Sequence, residues 1–180
     1  LVRNYPYKSL AAHTLGYTQL ITQNEFSQLS EKGYKVSDRI GRKGLEAAFE
    51  SELRGQWGGE MLEIDSIGTV QRSLGLKLPK AGKDIKLTLD LDLQLTAEKV
   101  LSDKGGGAIV ALDPRTGAIR AIASKPTFDL NFFSQPFTKD QYDNLFLSLD
   151  RPLLSRALNA YDPGSTWKPV TAIAGMESGK

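Results

Sequence analysis

From Ile85 to Leu95 every odd-numbered position is apolar: Ile85, Leu87, Leu89, Leu91, Leu93 and Leu95. Strict alternation of this kind marks a half-buried strand. In the same region Leu93, Ala97, Val100 and Leu101 share one face of a helix. The two periods together predict a strand over 85–89 and a helix over about 92–103, with Asp90 or Asp92 as its cap. Two more apolar runs, 108–112 and 118–123, flank Asp113-Pro114-Arg115-Thr116-Gly117. Proline presets a turn φ and glycine accepts a positive one, so this stretch predicts a β-hairpin. Its strands are apolar almost without interruption, which predicts a sheet covered on both faces.

The pattern before residue 80 is broken by turn residues. Residues 10–17 end at Gly16-Tyr17, and 22–29 reads as a short helix with Asn24 as its cap. Gly33 to Val36 reads as loop or strand. Leu45, Ala48, Phe49 and Leu53 fall at helical spacing, and Gly55 is a natural stop. Met61 to Ile64 and Ile67 to Val70 are strand-like. Pro79-Lys80-Ala81-Gly82 is the best linker, dividing the chain into 1–82 and 83–180. Near the end, Tyr161-Asp162-Pro163-Gly164 opens a helix predicted to begin near Ser165. No internal repeat stands out.

Composition narrows the chemistry. The 180 residues carry 23 Lys+Arg against 21 Asp+Glu, a net charge of +2, which argues against a nucleic-acid or membrane-surface binder working by bulk charge. There is no cysteine, so disulfides, thiol catalysis and Cys-ligated metal centres are excluded. A serine–histidine–aspartate triad has only His13 to draw on. No run reaches the ~18 apolar residues that span a bilayer, and no signal peptide is visible. The sequence opens at Leu1-Val2-Arg3 and stops just after an apolar helical pattern. It is expected to be a piece of a longer protein whose membrane anchor lies upstream.

One short pattern carries chemistry: Ser165-Thr166-Trp167-Lys168. A serine hydroxyl needs a base to become a nucleophile. On a helix, positions i and i+3 share a face, so Lys168 can bring its amine beside Ser165. Pro163-Gly164 sets the serine at the helix mouth, where free N–H groups favour negative charge. A lysine acts as base when desolvation lowers its pKa. The spacing alone is weak, because 14 serines and 14 lysines make about one such pattern expected by chance. An N-capping serine with a solvated lysine is the bland alternative. Other signals are weaker. Gly41-x-x-Gly44 lacks the strand and third glycine of a dinucleotide fingerprint. Gly105-Gly106-Gly107 reads as a loop, Asp90 and Asp92 as a helix cap in preference to a carboxylate pair, and His13 as a structural or surface residue. Tyr5, Tyr7 and Tyr17 read as core and surface filling.

Several motifs, taken in order, resemble the class B penicillin-binding proteins, and within them the elongation-specific type. Tyr5-Pro6-Tyr7 and His13-Thr14-Leu15-Gly16-Tyr17 resemble that family's pedestal segment. Gly41-x-x-Gly44-x-Glu46 with Leu53-Arg54-Gly55 resembles its pedestal signature. Leu87-Thr88-Leu89-Asp90 with Leu93-Gln94 resembles the opening of its transpeptidase domain. Residues 107–117 and 124–129 resemble its first hairpin and following loop, and Tyr161-x-Pro163-Gly164-Ser165-Thr166-x-Lys168-Pro169 its nucleophile motif.

The resemblance implies an α+β chain. A β-rich pedestal of the dimerisation type would occupy 1–82. The first part of a penicillin-binding, serine β-lactamase-like transpeptidase domain would occupy 83–180. It implies a periplasmic, membrane-anchored D,D-transpeptidase with no cofactor or metal. Ser165 would form the acyl-enzyme with peptidoglycan stem peptides and with β-lactams, Lys168 would take its proton, and the Ser165 N–H would be half of the oxyanion hole. Partners would be a membrane glycosyltransferase of the shape and elongation class and other elongation-complex proteins, with no nucleic acid. The family's Ser-x-Asn and Lys-Thr-Gly motifs do not occur in positions 1–180. This stretch alone is therefore expected to turn over little, and 83–180 alone to pack poorly. Two other readings stay open: a non-catalytic scaffold of the elongation complex, and a hydrolase or antibiotic sensor of the serine β-lactamase type.

Overall fold

A computed structural model describes residues 3–179. In chain order the elements are α1 (Ala12–Leu15), β1 (Thr18–Leu20), α2 (Gln23–Leu29), β2 (Arg39–Gly41), α3 (Gly44–Ala48) and α4 (Glu50–Leu53). They continue with β3 (Gly59–Ile64), β4 (Val70–Lys77), α5 (Leu91–Ser102), β5 (Gly107–Leu112), β6 (Ile119–Lys125), α6 (Lys139–Tyr142) and α7 (Lys168–Glu177). Among the described residues the strands form three separate antiparallel pairs, β1–β2, β3–β4 and β5–β6. Antiparallel hairpins interspersed with short helices make this an α+β chain.

The hairpin at 107–125 forms where its turn chemistry predicts, with Gly117 at φ 72. Helix α5 covers one of its faces: Ala97 and Leu101 pack on Ala121 and Ala123, with Ile109 and Ala111 alongside. The expected cover on both faces is not found among the described residues. On the other face Val110 and Leu112 are exposed, and only the stretch around Ile122 and Ser124 is buried. Helix α5 starts one residue before its predicted start, with Asp90 as its cap; the Asp90 side chain accepts from Leu93 N–H.

Residues 85–89 do not form the predicted strand. They run extended beside β6 with sparse bonding: Asp90 N–H donates to the Arg120 carbonyl, and the Thr88 hydroxyl to that of Ile119. The edge of β6 is instead occupied by a side chain. Gln94, 1% exposed, accepts from Ile122 N–H at 2.8 Å and donates to the Ile122 carbonyl at 3.0 Å, as a neighbouring strand would.

Four further expectations in the first half need correction or refinement. The cap of α2 is Thr22, not Asn24: Thr22 and Glu25 satisfy each other's backbone N–H groups in a capping box, and Glu25 also pairs with Arg42. The helix expected over 45–53 is two short helices, α3 and α4, broken at Phe49. Of Ile67 to Val70 only Val70 is strand; Ile67 to Thr69 belongs to a turn, because the Asp65 carboxylate takes the N–H groups of Ile67 and Thr69. Gly33 to Val36 is a loop, with Gly33 at φ 77. The β3–β4 hairpin stands away from the core, with every residue of its two strands exposed.

The larger core ignores the linker. Tyr5 and Ala12 from the first half pack with Phe128, Leu130, Phe133 and Leu145 from the second. Tyr17 stacks on Phe133 with ring centroids 3.5 Å apart. Asn131 donates to the Tyr5 carbonyl and accepts from the Tyr5 N–H, a reciprocal pair spanning 126 positions.

Candidate active site

Ser165 sits in a single 3₁₀ turn, Gly164–Trp167, that runs directly into α7 at Lys168. A 3₁₀ turn has three residues per turn, so Ser165 and Lys168 are eclipsed on one face. Gly164 takes φ 52, which bends the chain into that turn, and Pro169 fits the first turn of α7, where no N–H is needed. Thr166 N–H closes the turn on the Pro163 carbonyl at 3.2 Å. Among the described residues neither the Ser165 hydroxyl nor its backbone N–H meets an acceptor. The Lys168 backbone N–H donates to the Ser165 carbonyl, no side-chain hydrogen bond joins the two residues, and both are exposed. The whole of α7 is without a buried residue; Val170, Ile173 and Met176 face water. Ser165 and Lys168 thus share a face at a helix mouth, with the apolar side of α7 uncovered.

A cavity of about 230 Å³ and another of about 450 Å³ both border Arg3 and Asn4, and Ser165 and Lys168 line neither. The first is largely apolar, walled by Leu15, Leu45, Leu53, Ile85 and Leu87, and closed at one side by Glu46. Glu46, the acidic residue of the glycine signature, is buried and paired with Arg3 at 2.8 Å. It also accepts from the Tyr5 hydroxyl, whose pKa is pushed up by burial first and by the Glu46 charge second. No group of three or more metal-ligating side chains gathers among the described residues.

The glycines of that signature act through close backbone approach. A Cβ on Gly41 would lie 1.9 Å from the Glu46 carbonyl oxygen, and one on Gly44 2.4 Å from that of Thr14. Gly44 also takes φ 58. Gly44 therefore marks where two backbone segments cross and Gly41 where one segment folds tightly on itself, with no phosphate cradle implied. Arg54, the C-cap residue of α4, stacks its guanidinium 3.4 Å from the Tyr34 ring centroid and pairs with Asp38 at 3.7 Å.

His13 is the only histidine, and it joins the two halves. Its Nε2 lies 2.7 Å from the Pro152 carbonyl, and its ring meets Phe128 edge-on. Burial holds its pKa below the usual value. Sequence reasoning placed Gln94 only within a family motif, with no role of its own, and missed Glu98. A signal existed: two long polar side chains at i and i+4 lie on the α5 face that carries Ala97 and Leu101.

The described geometry can be set beside known proteins. Residues 1–87 match the penicillin-binding protein dimerisation domain and residues 107–180 the penicillin-binding protein transpeptidase domain. The chain is 39% identical over 180 residues to the peptidoglycan D,D-transpeptidase MrdA of Acinetobacter baumannii, covering 99% of this chain and 27% of that protein. It is 37% identical to the Escherichia coli K12 protein of the same name, covering 98% of this chain and 29% of the relative. Among solved structures, Pseudomonas aeruginosa penicillin-binding protein 2 in complex with WCK 5153 superposes with a TM-score of 0.81 at 38% identity, covering 99% of this chain and 36% of that one. A complex of the Helicobacter pylori penicillin-binding protein 2 with MreC gives a TM-score of 0.84 at 29% identity, covering 98% and 32%. The chain spans less than a third of the length of these curated relatives. Two consecutive domain matches, together with relatives that follow the chain from end to end, lead to one conclusion: it belongs to the class B penicillin-binding proteins, of the penicillin-binding protein 2 type.

Proposed function

We propose that this chain is the pedestal, residues 1–82, and the opening part of the catalytic domain, residues 83–180, of a peptidoglycan D,D-transpeptidase. Ser165 attacks the carbonyl of the terminal D-Ala–D-Ala bond of a stem peptide. Its proton passes to Lys168 Nζ, D-alanine leaves, and the acyl-enzyme is transferred to the amine of a second stem peptide. β-Lactams acylate the same oxygen. The observation that carries this reading is the eclipsed Ser165–Lys168 pair at the mouth of α7, inside the segment matched to the transpeptidase domain. The Ser165 N–H, free of an acceptor among the described residues, suits one half of an oxyanion hole. Such a donor is commonly worth ~2.7–4 kcal/mol in the transition state.

Lys168 must be desolvated to act as base. The family's Ser-x-Asn and Lys-Thr-Gly motifs do not occur in positions 1–180, and the elements bearing them are what this reading requires to supply that cover. The working unit is accordingly the longer protein, on the periplasmic side of the inner membrane with its anchor upstream. No helix among the described residues is long and apolar enough to cross a membrane. Elongation-complex proteins and a membrane glycosyltransferase of the shape class are the proposed partners. Relatives solved with MreC and in a peptidoglycan synthase complex support this, as does the exposed β3–β4 arm, where Met61, Ile64, Ile67 and Leu76 face water.

One observation favours a second reading, a scaffold without catalysis: Ser165 and Lys168 are exposed and line neither described cavity. Labelling of the full-length protein with a fluorescent penicillin separates the two. Under the enzyme reading Ser165→Ala abolishes labelling and Lys168→Ala slows it by about 10²-fold or more. Equal labelling of Ser165→Ala and the parent overturns it, and an unlabelled parent favours the scaffold.

A further inference from the structure

Among the carboxylates of α5, only Glu98 reaches across to the first half of the chain. It is 9% exposed and lies on the buried face of the helix. Its Oε1 accepts from the backbone N–H of Ala11 at 2.7 Å and from Gln94 Nε2 at 3.0 Å, and its Oε2 lies 3.9 Å from Lys125 Nζ. Gln94 in turn holds both backbone groups of Ile122 in β6. Two residues further along β6, the Ser124 hydroxyl accepts from Arg156 N–H at 2.8 Å. Arg156 stands at the start of the stretch that leads to Ser165. A continuous set of short hydrogen bonds thus runs from the first half, through one carboxylate, to the strand that anchors the approach to the nucleophile.

The Ala11 end of this chain needs an external hold. Ala11 takes φ 51, a left-handed conformation that an L residue with a Cβ seldom adopts. It closes the turn before α1, and the Ala12 that follows is part of the shared core. A left-handed alanine persists only where its surroundings over-determine it. The Glu98 carboxylate is the group that binds its N–H.

We propose that Glu98 is a positioning residue, clamping the turn at Ala11 onto α5 and, through Gln94, onto β6, so that the pedestal sets the placement of the segment leading to Ser165. The proposal is tested in the full-length protein and its kinetic arm rests on the transpeptidase reading above. Small displacements at a reacting centre can cost about 10²-fold in rate, so Glu98→Ala is expected to slow penicillin acylation about tenfold while Glu98→Gln, which keeps the acceptor oxygen, stays within about twofold of the parent. Acylation is measured well below the melting temperature, where a role confined to stability does not alter the rate. Amide hydrogen exchange at Ala11 is the second readout: faster in Glu98→Ala, protected in Glu98→Gln. If Glu98→Ala does not fold, Glu98→Asp, which withdraws the oxygen by one methylene, gives the same contrast. A Glu98→Ala protein that acylates at the parental rate overturns the proposal, whatever its exchange at Ala11. So does a Glu98→Gln protein as slow as Glu98→Ala. If the parent itself is not acylated, the transpeptidase reading fails, and exchange at Ala11 decides the clamp by itself.

Discussion

Protonating His13 opposes folding. A carbonyl can only accept, so the 2.7 Å contact with Pro152 requires a proton on Nε2, which the imidazolium and one neutral tautomer both carry, and it is burial that disfavours the charged ring. Burial is the largest influence on this histidine and lowers its pKa; the Pro152 carbonyl and Glu98 pull the other way, while Arg156 and Lys125 add to the lowering. The unfolded chain therefore binds a proton more readily than the folded one. The contribution of His13 to stability is complete above its ordinary value of 6.5 and shrinks as the pH falls below it. Unfolding free energies of the parent and of His13→Asn, compared from pH 7.5 down to pH 5, are expected to converge as the pH falls. Parallel curves would contradict the assignment. The sequence left His13 as either structural or surface, and its partner Pro152 was not legible, since 139 positions separate them.

At the scale of elements, the segments that local chemistry specifies are the ones sequence reasoning places well. The β5–β6 turn has its proline and glycine, α5 has Asp90, and α2 has a Thr-x-x-Glu box that was there to be read even though Asn24 was preferred. The 85–95 alternation shows the limit. An every-other-residue apolar spacing makes a strand only where a neighbour offers a ladder, and Gln94 fills the place beside Ile122 where a ladder would continue. Gln94→Leu keeps the volume but leaves Ile122 N–H and the Glu98 carboxylate each short of a partner. Leaving one buried polar group unpaired costs about 1–3 kcal/mol, and urea denaturation of this variant is expected to show a loss of at least that size. An unchanged midpoint would mean that water or a neighbouring strand serves the same groups.

For the whole molecule, the division at 79–82 in sequence is not a division of the core. Tyr5 and Ala12 fill the space between Phe128, Leu130, Phe133 and Leu145, so cutting at 82 removes one wall of that cluster. A two-stranded hairpin with one helix on it is marginal by itself. Residues 83–180 expressed alone are therefore expected to bind a hydrophobic dye and to melt without a cooperative transition. A sharp melt from the monomeric fragment would show that the second half carries its own core. The apolar side of α7, with Val170, Ile173 and Met176 in water, adds to the exposed surface in either piece.

What the sequence determined alone is whatever depends on neighbours in the chain: turns, caps, the helical period of α5, the Ser165–Lys168 spacing and the ordered motifs that announce a penicillin-binding protein. Tertiary structure decided the rest. The crossing of Gly44 on Thr14, the shared aromatic core and the Ala11–Glu98 bond all join residues far apart in the chain, 87 positions in the last case. No local period records such a meeting. It exists only once the backbone has folded back on itself, and there a buried carboxylate and a backbone N–H without a local acceptor satisfy each other.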